Sequence, residues 1–574
     1  MTWRFSDEVL KEVGFQQIPL GLLQPDCNEY DVMLYQHGGT IVADANGVFN
    51  SDQAIAKAKF NSLFIKAFVQ QPQLLVTPEY SCPWSALEQM IQKNHWPAVG
   101  KVWVVGCESI RPKELEEFCD HCDLIKWVLP SYEVERDQAF LDIACICLNA
   151  IAADGTEVRV AALQAKNIPM ADTKNLIEPD FLIRGADRYI LRNDENSIHL
   201  ALMICSDALE GGIFESLPHQ EHFPYILLHI QLNPDPRHLC FREYRDFWGT
   251  HDRRNVEIIC LNWAKNTIIF GTPIPFGASA WYFKSSNVVA NDGEINHAHN
   301  LGTYYMTSLE RYFHCQFLNY DELVFQLRST KVSQVRSSPP TQRQRTGPHV
   351  LATLIWDSGR VDWLPAKPED GFRRFCDTIH SDLAPLTDLD MTPANKERLV
   401  CLTNSEIFAK SKDPWPHIRS LKSFELMQNE VCQRVTFCHD PDEDSRERRR
   451  RWLHHFATLK NEILGGSVPF PQHLQPLQGS GVIRYPAIPE GYSFNVVNTT
   501  GEFPSTFVFI GEASEQHARQ VLDRISDILN GDAKRSLVVW FRENGRLTHV
   551  YLDGLDTFDT NISESSRSIL RGTL

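Results

Sequence analysis

The chain has 574 residues, 56 Lys and Arg against 73 Asp and Glu, and a formal net charge of −17. At roughly 150 residues per domain this is enough for several domains, and 43% hydrophobic residues supply ample core material. An acid excess of this size favours solubility and repels bulk nucleic acid; the 15 cysteines, an odd number with several inside apolar runs, argue against a disulfide framework and for a reduced, cytoplasmic setting.

The segment MTWRFSDEVLKEVGF, residues 1–15, is amphipathic and carries acids, which does not fit a signal peptide. No run of about 18 uninterrupted apolar residues occurs, so no membrane span is expected. VMLYQHGGTIVAD, residues 32–44, is the candidate for an opening strand. AIAKAKFNSLFIKAFVQQ has helical spacing and leads into the apolar run QLLVTPEY. SALEQMIQKNHW reads as helix and KVWVVGCES as strand. Strand character then stands on both sides of the turn Ala153-Asp154-Gly155. IHLALMICSD, YILLHIQLNP, VEIICLNWAKN and GASAWYFKSSNVVANDGE complete a strand-rich series. These runs lack strict alternation, which predicts strands covered on both faces and hence an α/β architecture.

VSQVRSSPPTQRQRTGPH, residues 332–349, has almost no large apolar residue and reads as a linker. Beyond it, VLATLIWDSGRVDWLPAK predicts a two-stranded ribbon turning at Asp357-Ser358-Gly359. Residues 371–465 are mostly helical in character, and GGSVPFPQHLQPLQGSG, 465–481, is a weaker break. SFNVVN and TFVFIG read as strands, EQHARQVLDRISDILNG as an amphipathic helix, and SLVVWFRENGRLTHVYLDG as a hairpin with Asn544-Gly545 at its turn. The expected organisation is a first domain over 1–331, a linker over 332–349, a mostly helical accessory region over 350–465 and a small α+β domain over 482–574.

Three predicted strand ends carry an acid, an ammonium and a thiol: Glu79 after LLVTP, Lys166 after VRVAALQA and Cys205 after LALMI. The carboxyl end of a strand in an α/β sheet is where ligands bind. Taken singly, each residue has an ordinary reading: one buried cysteine of 15, a loop glutamate, a surface lysine. Together they are what thiol acyl transfer at a C–N bond needs. The thiolate is the nucleophile, so a base must take the thiol proton, and a cation is needed where negative charge develops.

On these motifs the chain resembles the nitrilase superfamily of carbon–nitrogen hydrolases over roughly residues 15–310. LLVTPEY looks like the family's motif with its catalytic Glu, and NAIAADGTEVRVAALQAK like its strand–turn–strand ending in the catalytic Lys. Glu178 in IEPDFLIRG matches the family pattern of Glu, an aromatic three residues on and Gly seven on. IHLALMICSDALE looks like the nucleophile strand, and VEIICLNWAKN like the strand bearing Asn. The resemblance implies an α-β-β-α sandwich over 1–331, followed by a separate α+β accessory region. It implies Cys205 as nucleophile, Glu79 as base and Lys166 as anion stabiliser, with Glu178 orienting Lys166. An amide or carbamoyl substrate is expected ahead of a nitrile, with no cofactor or metal, in a homo-oligomer. Two departures bear on substrate preference. Ser206 stands where the family usually has an aromatic, and Asn167-Ile168-Pro169 follow Lys166 in place of the commoner His-Leu.

Other signals are weaker. Cys119, His121 and Cys122 in FCDHCD are metal-ligand types without a second CxxC or His pair at zinc spacing, which favours a helix-end cluster of thiols. His219 and His222 read as loop histidines. Arg446 and Arg448 to Arg451 form either a solvated basic helix face or a contact for an acidic or phosphate-bearing partner. The competing functional reading is a catalytically weak or inactive scaffold acting in regulation or assembly, with prokaryotic defence as one setting.

Overall fold

Apolar strand runs demand cover on both faces, and the chain meets that demand with two large sheets, each pairing strands from distant parts of the sequence. The computed structural model describes residues 2–24, 29–132, 140–170, 176–210, 224–234, 256–269, 271–273, 279–284, 303–308, 313–330, 348–367, 389–405, 443–466, 468–485, 494–529 and 532–552, with scattered positions at 212–247, 301 and 386. They divide into two compact units at Pro368/Glu369.

The first unit opens with β1 Thr2–Phe5, α1 Ser6–Glu12, β2 Phe15–Gln17, β3 Glu29–Gln36, β4 Thr40–Asp44 and β5 Gly47–Asn50. Then come α2 Gln53–Gln70, β6 Leu74–Val76, α3 Trp84–Gln92, β7 Val102–Gly106, α4 Pro112–His121 and β8 Lys126–Val128. The hairpin β9 Ile143–Ala152 and β10 Glu157–Ala165 follows, then α5 Ile177–Phe181, β11 Asp187–Leu191 and β12 His199–Ile204. The remaining strands are β13 Tyr225–Ile230, β14 Val256–Leu261, β15 Ile268–Ile269, β16 Thr272–Pro273, β17 Ala280–Lys284, β18 Thr303–Ser308, β19 Phe313–Leu318, β20 Leu323–Thr330, β21 His349–Asp357 and β22 Asp362–Pro365.

One sheet has ten strands in the order β22-β21-β20-β3-β6-β7-β9-β10-β8, with β2 paired to β9; the other has eight, β1-β11-β12-β13-β14-β17-β19-β18. β3, β6 and β7 run parallel, as do β12, β13 and β14. Every residue of β7 and β12 is buried, including His199 at the start of β12, as the apolar runs VWVV and LALMI require. Phe60, Leu63, Phe64 and Ala67 of α2 and Ala86, Leu87, Met90 and Ile91 of α3 pack on Met33, Leu75, Trp103, Val105 and Cys145 of the ten-stranded sheet. Hydrogen bonds bridge the two sheets. Gln164 of β10 donates to Leu202 O and accepts from Tyr189 N, and Tyr30 of β3 donates to Glu257 of β14. Strands β16-β15-β4-β5 make a small separate sheet.

Two sequence expectations are corrected in this unit. Residues 32–44 hold an inner strand of the large sheet and then turn away into the small one, while the chain opens on β1 at an edge of the eight-stranded sheet. The ribbon around Asp357 forms as predicted but does not open an accessory region. β21 pairs antiparallel with β20, so β21 and β22 extend the first unit's sheet. Trp363 of β22 is fully buried against α2, with its indole N–H on Lys59 O at 2.9 Å. Most of the expected linker 332–349, and His219 and His222, lie outside the described residues.

The second unit contains α6 Pro393–Thr403, α7 Glu443–Thr458 with a π-helical turn over Leu459–Leu464, β23 Gly481–Ile483, β24 Val496–Asn498, β25 Thr506–Glu512, α7's successor α8 Glu515–Ile528, and the hairpin β26 Leu537–Glu543 and β27 Arg546–Tyr551. Asn544 and Gly545 turn the hairpin with φ of 53° and 76°, the left-handed pair that such a turn needs. Ser514 caps α8 by accepting from His517 N. Ala518, Val521, Leu522 and Ile525 then form one stripe against Val508, Val539 and Phe541. The expected division between 350–465 and 482–574 is not kept. Leu459 and Ile463 share a core with Val496, Phe507 and Trp540, so both stretches build one unit. Among the described residues no helix is long and apolar enough to cross a membrane.

Candidate active site

Each of the three strand ends singled out in the sequence is held in place by backbone contacts. β6 ends at Val76, and Thr77 still pairs with β7 through Val104 O at 3.0 Å. Gly106 packs so tightly there that a Cβ would come 2.1 Å from Pro78 O. Trp263 donates its indole N–H to Glu79 O at 2.7 Å, and Leu232 N donates to Glu79 Oε2. Lys166 follows β10, with its N–H on Asp142 O at 2.9 Å and its carbonyl accepting from Gly185 N at 2.8 Å. Cys205 follows β12 with φ of 43°, a left-handed conformation that is strained for a side chain with Cβ and is concentrated at functional sites. His229 Nε2 donates to Cys205 O at 2.8 Å and braces the turn.

The four sequence candidates meet in one dry cluster. Lys166 Nζ donates to Glu79 Oε1 at 2.7 Å and to Glu178 Oε1 and Oε2 at 2.8 and 2.7 Å. Glu79, Lys166 and Cys205 are at most 1% exposed, and Glu178 is 9% exposed. Glu178 also accepts from Tyr80 Oη at 3.0 Å and from Met170 N at 2.6 Å. It stands in α5, and Gly185 seven residues on explains the spacing of that motif: a Cβ there would meet Ala165 O at 2.4 Å, beside Lys166.

The electrostatics follow from burial and proximity. Burial pushes the Glu79 carboxyl up from its ordinary value, Lys166 opposes the rise and Glu178 adds to it. Burial opposes the charge on Lys166, yet Glu178 and Glu79 outweigh it and hold the ammonium well above the usual lysine range. Burial drives the Cys205 thiol well up; Glu79 adds to this by charge and by hydrogen bonding, and Lys166 opposes it. At rest the sulfur therefore keeps its proton beside Glu79, with a charged ammonium in the same pocket.

Two members of the cluster were missed in the sequence. Asp142 is 1% exposed, and its Oδ2 lies 3.8 Å from Lys166 Nζ. An acid inside the apolar run LDIACICL was the signal, since a buried charge must be paired or neutralised. Asp207, two residues after Cys205, accepts from Asn167 N and Ile168 N, each at 2.9 Å. Among the described residues the group with metal-site geometry is Glu79, Asp142 and Glu178, whose carboxyl oxygens lie within 4.8 Å of one another. The Lys166 ammonium is already hydrogen-bonded to two of the three. Cys119 and Cys122 are buried thiols at the end of α4 and belong to no such group among those residues. Arg446 to Arg451 fall on α7, where Arg450 pairs with Glu447 at 2.9 Å and Arg448 lies over the Trp452 ring.

No family model matches the chain, and no curated protein matches it. Solved structures do. A glutamine-dependent NAD+ synthetase from Acinetobacter baumannii is matched at 13% identity and a TM-score of 0.31, over 55% of this chain and 49% of that one. The chain thus spans about half the length of that synthetase. An amidase from Nesterenkonia sp. AN1 is matched at 13% identity and a TM-score of 0.25, over 44% of this chain and 84% of that one. XC1258 from Xanthomonas campestris, a CN-hydrolase superfamily protein, is matched at 11% identity and a TM-score of 0.26, over 44% and 82%.

Proposed function

We propose that the first unit is a thiol-dependent hydrolase of a non-peptide C–N bond, with amide or carbamoyl groups as substrate class ahead of nitriles. The observation that carries this reading is the buried Lys166 ammonium, hydrogen-bonded at once to Glu79 and Glu178 in the pocket of a buried, strained cysteine. An α-β-β-α sandwich in the manner of the nitrilase superfamily would present these strand ends at one edge.

In the first half-reaction Glu79 takes the Cys205 proton as sulfur attacks the carbonyl carbon. Lys166 stabilises the tetrahedral anion, a role for which one donor contributes about 3–4 kcal/mol. The C–N bond breaks as Glu79 returns the proton to the leaving amine, and a thioester remains. Glu79 then takes a proton from water, whose oxygen attacks the thioester. Sulfur leaves and is reprotonated, releasing the carboxylic acid. Glu178 keeps Lys166 charged and aimed. The raised Cys205 thiol suits this order of events, because proton loss accompanies attack and does not precede it.

Ammonia release from a panel of short aliphatic primary amides and N-carbamoyl amines tests the reading. The wild-type chain turns over at least one member, and Cys205→Ala turns over none; equal release by the two would end the proposal. A second reading, a scaffold that no longer hydrolyses, draws on the separate core of the second unit. Iodoacetamide with peptide mapping separates the two: selective labelling of Cys205 belongs to the enzyme, and a silent Cys205 to the scaffold. Assembly into a homo-oligomer and an acidic or phosphate-bearing partner at Arg446–Arg451 are further parts of the proposal. Light scattering and binding of a phosphate-bearing probe check them in turn.

A further inference from the structure

Asp142 stands one residue ahead of β9 with its carboxyl 1% exposed. Neither oxygen receives a hydrogen bond from a described donor. The nearby cation, Lys166 Nζ, is 3.8 Å away and already donates to one oxygen of Glu79 and two of Glu178. An ammonium has three protons, so none remains for Asp142. As a carboxylate, Asp142 would be dry, without a donor and within 4.8 Å of two other carboxylates. That is the arrangement in which one acid keeps its proton. As a carboxylic acid it has an O–H to give, and Glu79 is beside it to accept.

We infer that Asp142 is held as the un-ionised acid and donates a hydrogen bond to Glu79. It is a positioning residue that keeps Glu79 ionised and turned toward Cys205. The groups that act on it are Glu79, Lys166 and Glu178, with Tyr80 and Cys107 also within its field. Burial, and then the charge of Glu79, push its carboxyl well above the usual carboxylate range, in keeping with the geometry. The protonation state stands on the geometry alone; the role in turnover rests on the hydrolase reading.

Two measurements on the full chain separate these. Infrared difference spectroscopy of protein labelled with carbon-13 aspartate compares wild type with Asp142→Asn at neutral pH. A band of an un-ionised carboxyl present in the wild type and missing in the variant is expected, and its absence from the wild type overturns the inference. The pH profile of Cys205 alkylation by iodoacetamide is then compared across variants. Asp142→Asn, which keeps a donor and carries no charge, follows the wild type within about twofold. Asp142→Leu, similar in size without a donor, moves the acid limb to higher pH and slows labelling about tenfold at neutrality. An unchanged Leu profile, or an Asn profile moved to lower pH, overturns the inference. A wild-type Cys205 that resists alkylation at every pH sinks the hydrolase reading, while the infrared band still decides Asp142.

Discussion

Asp207 accepts the backbone N–H of Asn167 at 2.9 Å, so the residue after Lys166 hangs from the turn that carries Cys205. The same oxygen takes Ile168 N at 2.9 Å, and Ser206 Oγ donates back to Ile168 O. Arg188 stands 3.8 Å from the other oxygen of Asp207. The clasp joins two segments that follow strands of different sheets, β10 and β12.

Asp207→Ala strands two backbone N–H groups, at about 1–3 kcal/mol each when buried. A fall in denaturation midpoint is expected, and with it a loss of Cys205 labelling by iodoacetamide larger than the unfolded fraction accounts for. Unchanged labelling of the folded protein would reduce Asp207 to a purely structural residue.

Gly106 and Gly185 do parallel work at two of the strand ends. A Cβ on the first would meet Pro78 O at 2.1 Å, and one on the second would meet Ala165 O at 2.4 Å. Both obstacles are backbone, so they cannot swing aside. Gly106→Ala is expected to displace Glu79, and Gly185→Ala to displace Lys166. Each should lose at least tenfold in turnover of any amide the wild type accepts, consistent with the sensitivity of such sites to small misplacements. Gly155→Ala is the control: its Cβ meets nothing within 4 Å, and only its φ of 85° opposes the change. Full activity in Gly106→Ala would remove the tight approach from the account.

Lys166→Met leaves Glu79 and Glu178 buried without their cation, and breaking such a pair is worth about 3–5 kcal/mol of stability. Adding Glu178→Gln should recover part of this, which a double-mutant cycle in urea measures. The pH dependence has a definite sign. The folded-state value of Lys166 is raised, so its stabilisation is complete below the ordinary lysine value and is lost only as pH climbs through the raised one. The gap between wild type and Lys166→Met should therefore be flat across neutral pH and shrink in strong alkali.

Glu322 gives the acid-side counterpart. Burial pushes its carboxyl up, but His37 and Lys59 outweigh burial and hold it at about 2. Lys59 Nζ is 2.7 Å from Glu322 Oε2, and Tyr35 Oη donates to Oε1 at 2.9 Å. A depressed carboxyl contributes stability above its unfolded value, about 4.3, that is lost as pH falls toward 2, here roughly 3 kcal/mol. Glu322→Gln should be less stable than wild type at pH 7 and draw level as pH approaches 2. Parallel urea midpoints at both pH values would contradict this.

The polypeptide read alone placed Glu79, Lys166 and Cys205 at strand ends because buried strands leave a local trace: an apolar run, then an abrupt polar residue. The hairpin at Asn544-Gly545 and the α8 stripe were legible for the same reason, since turn chemistry and helical period act over a few residues. The nine-residue strand His349–Asp357 and its ribbon partner were seen too, yet its second partner, β20, was not. Pairing with β20, itself bonded to β3 some three hundred residues back in the chain, leaves no mark on local periodicity. Tertiary structure alone decided that Asp142 would crowd Glu79 and that Asp207 would hold the Lys166 segment. Those relations are set by how two sheets and their strand ends come together, and a charge in a dry pocket takes its state from whatever the fold packs around it.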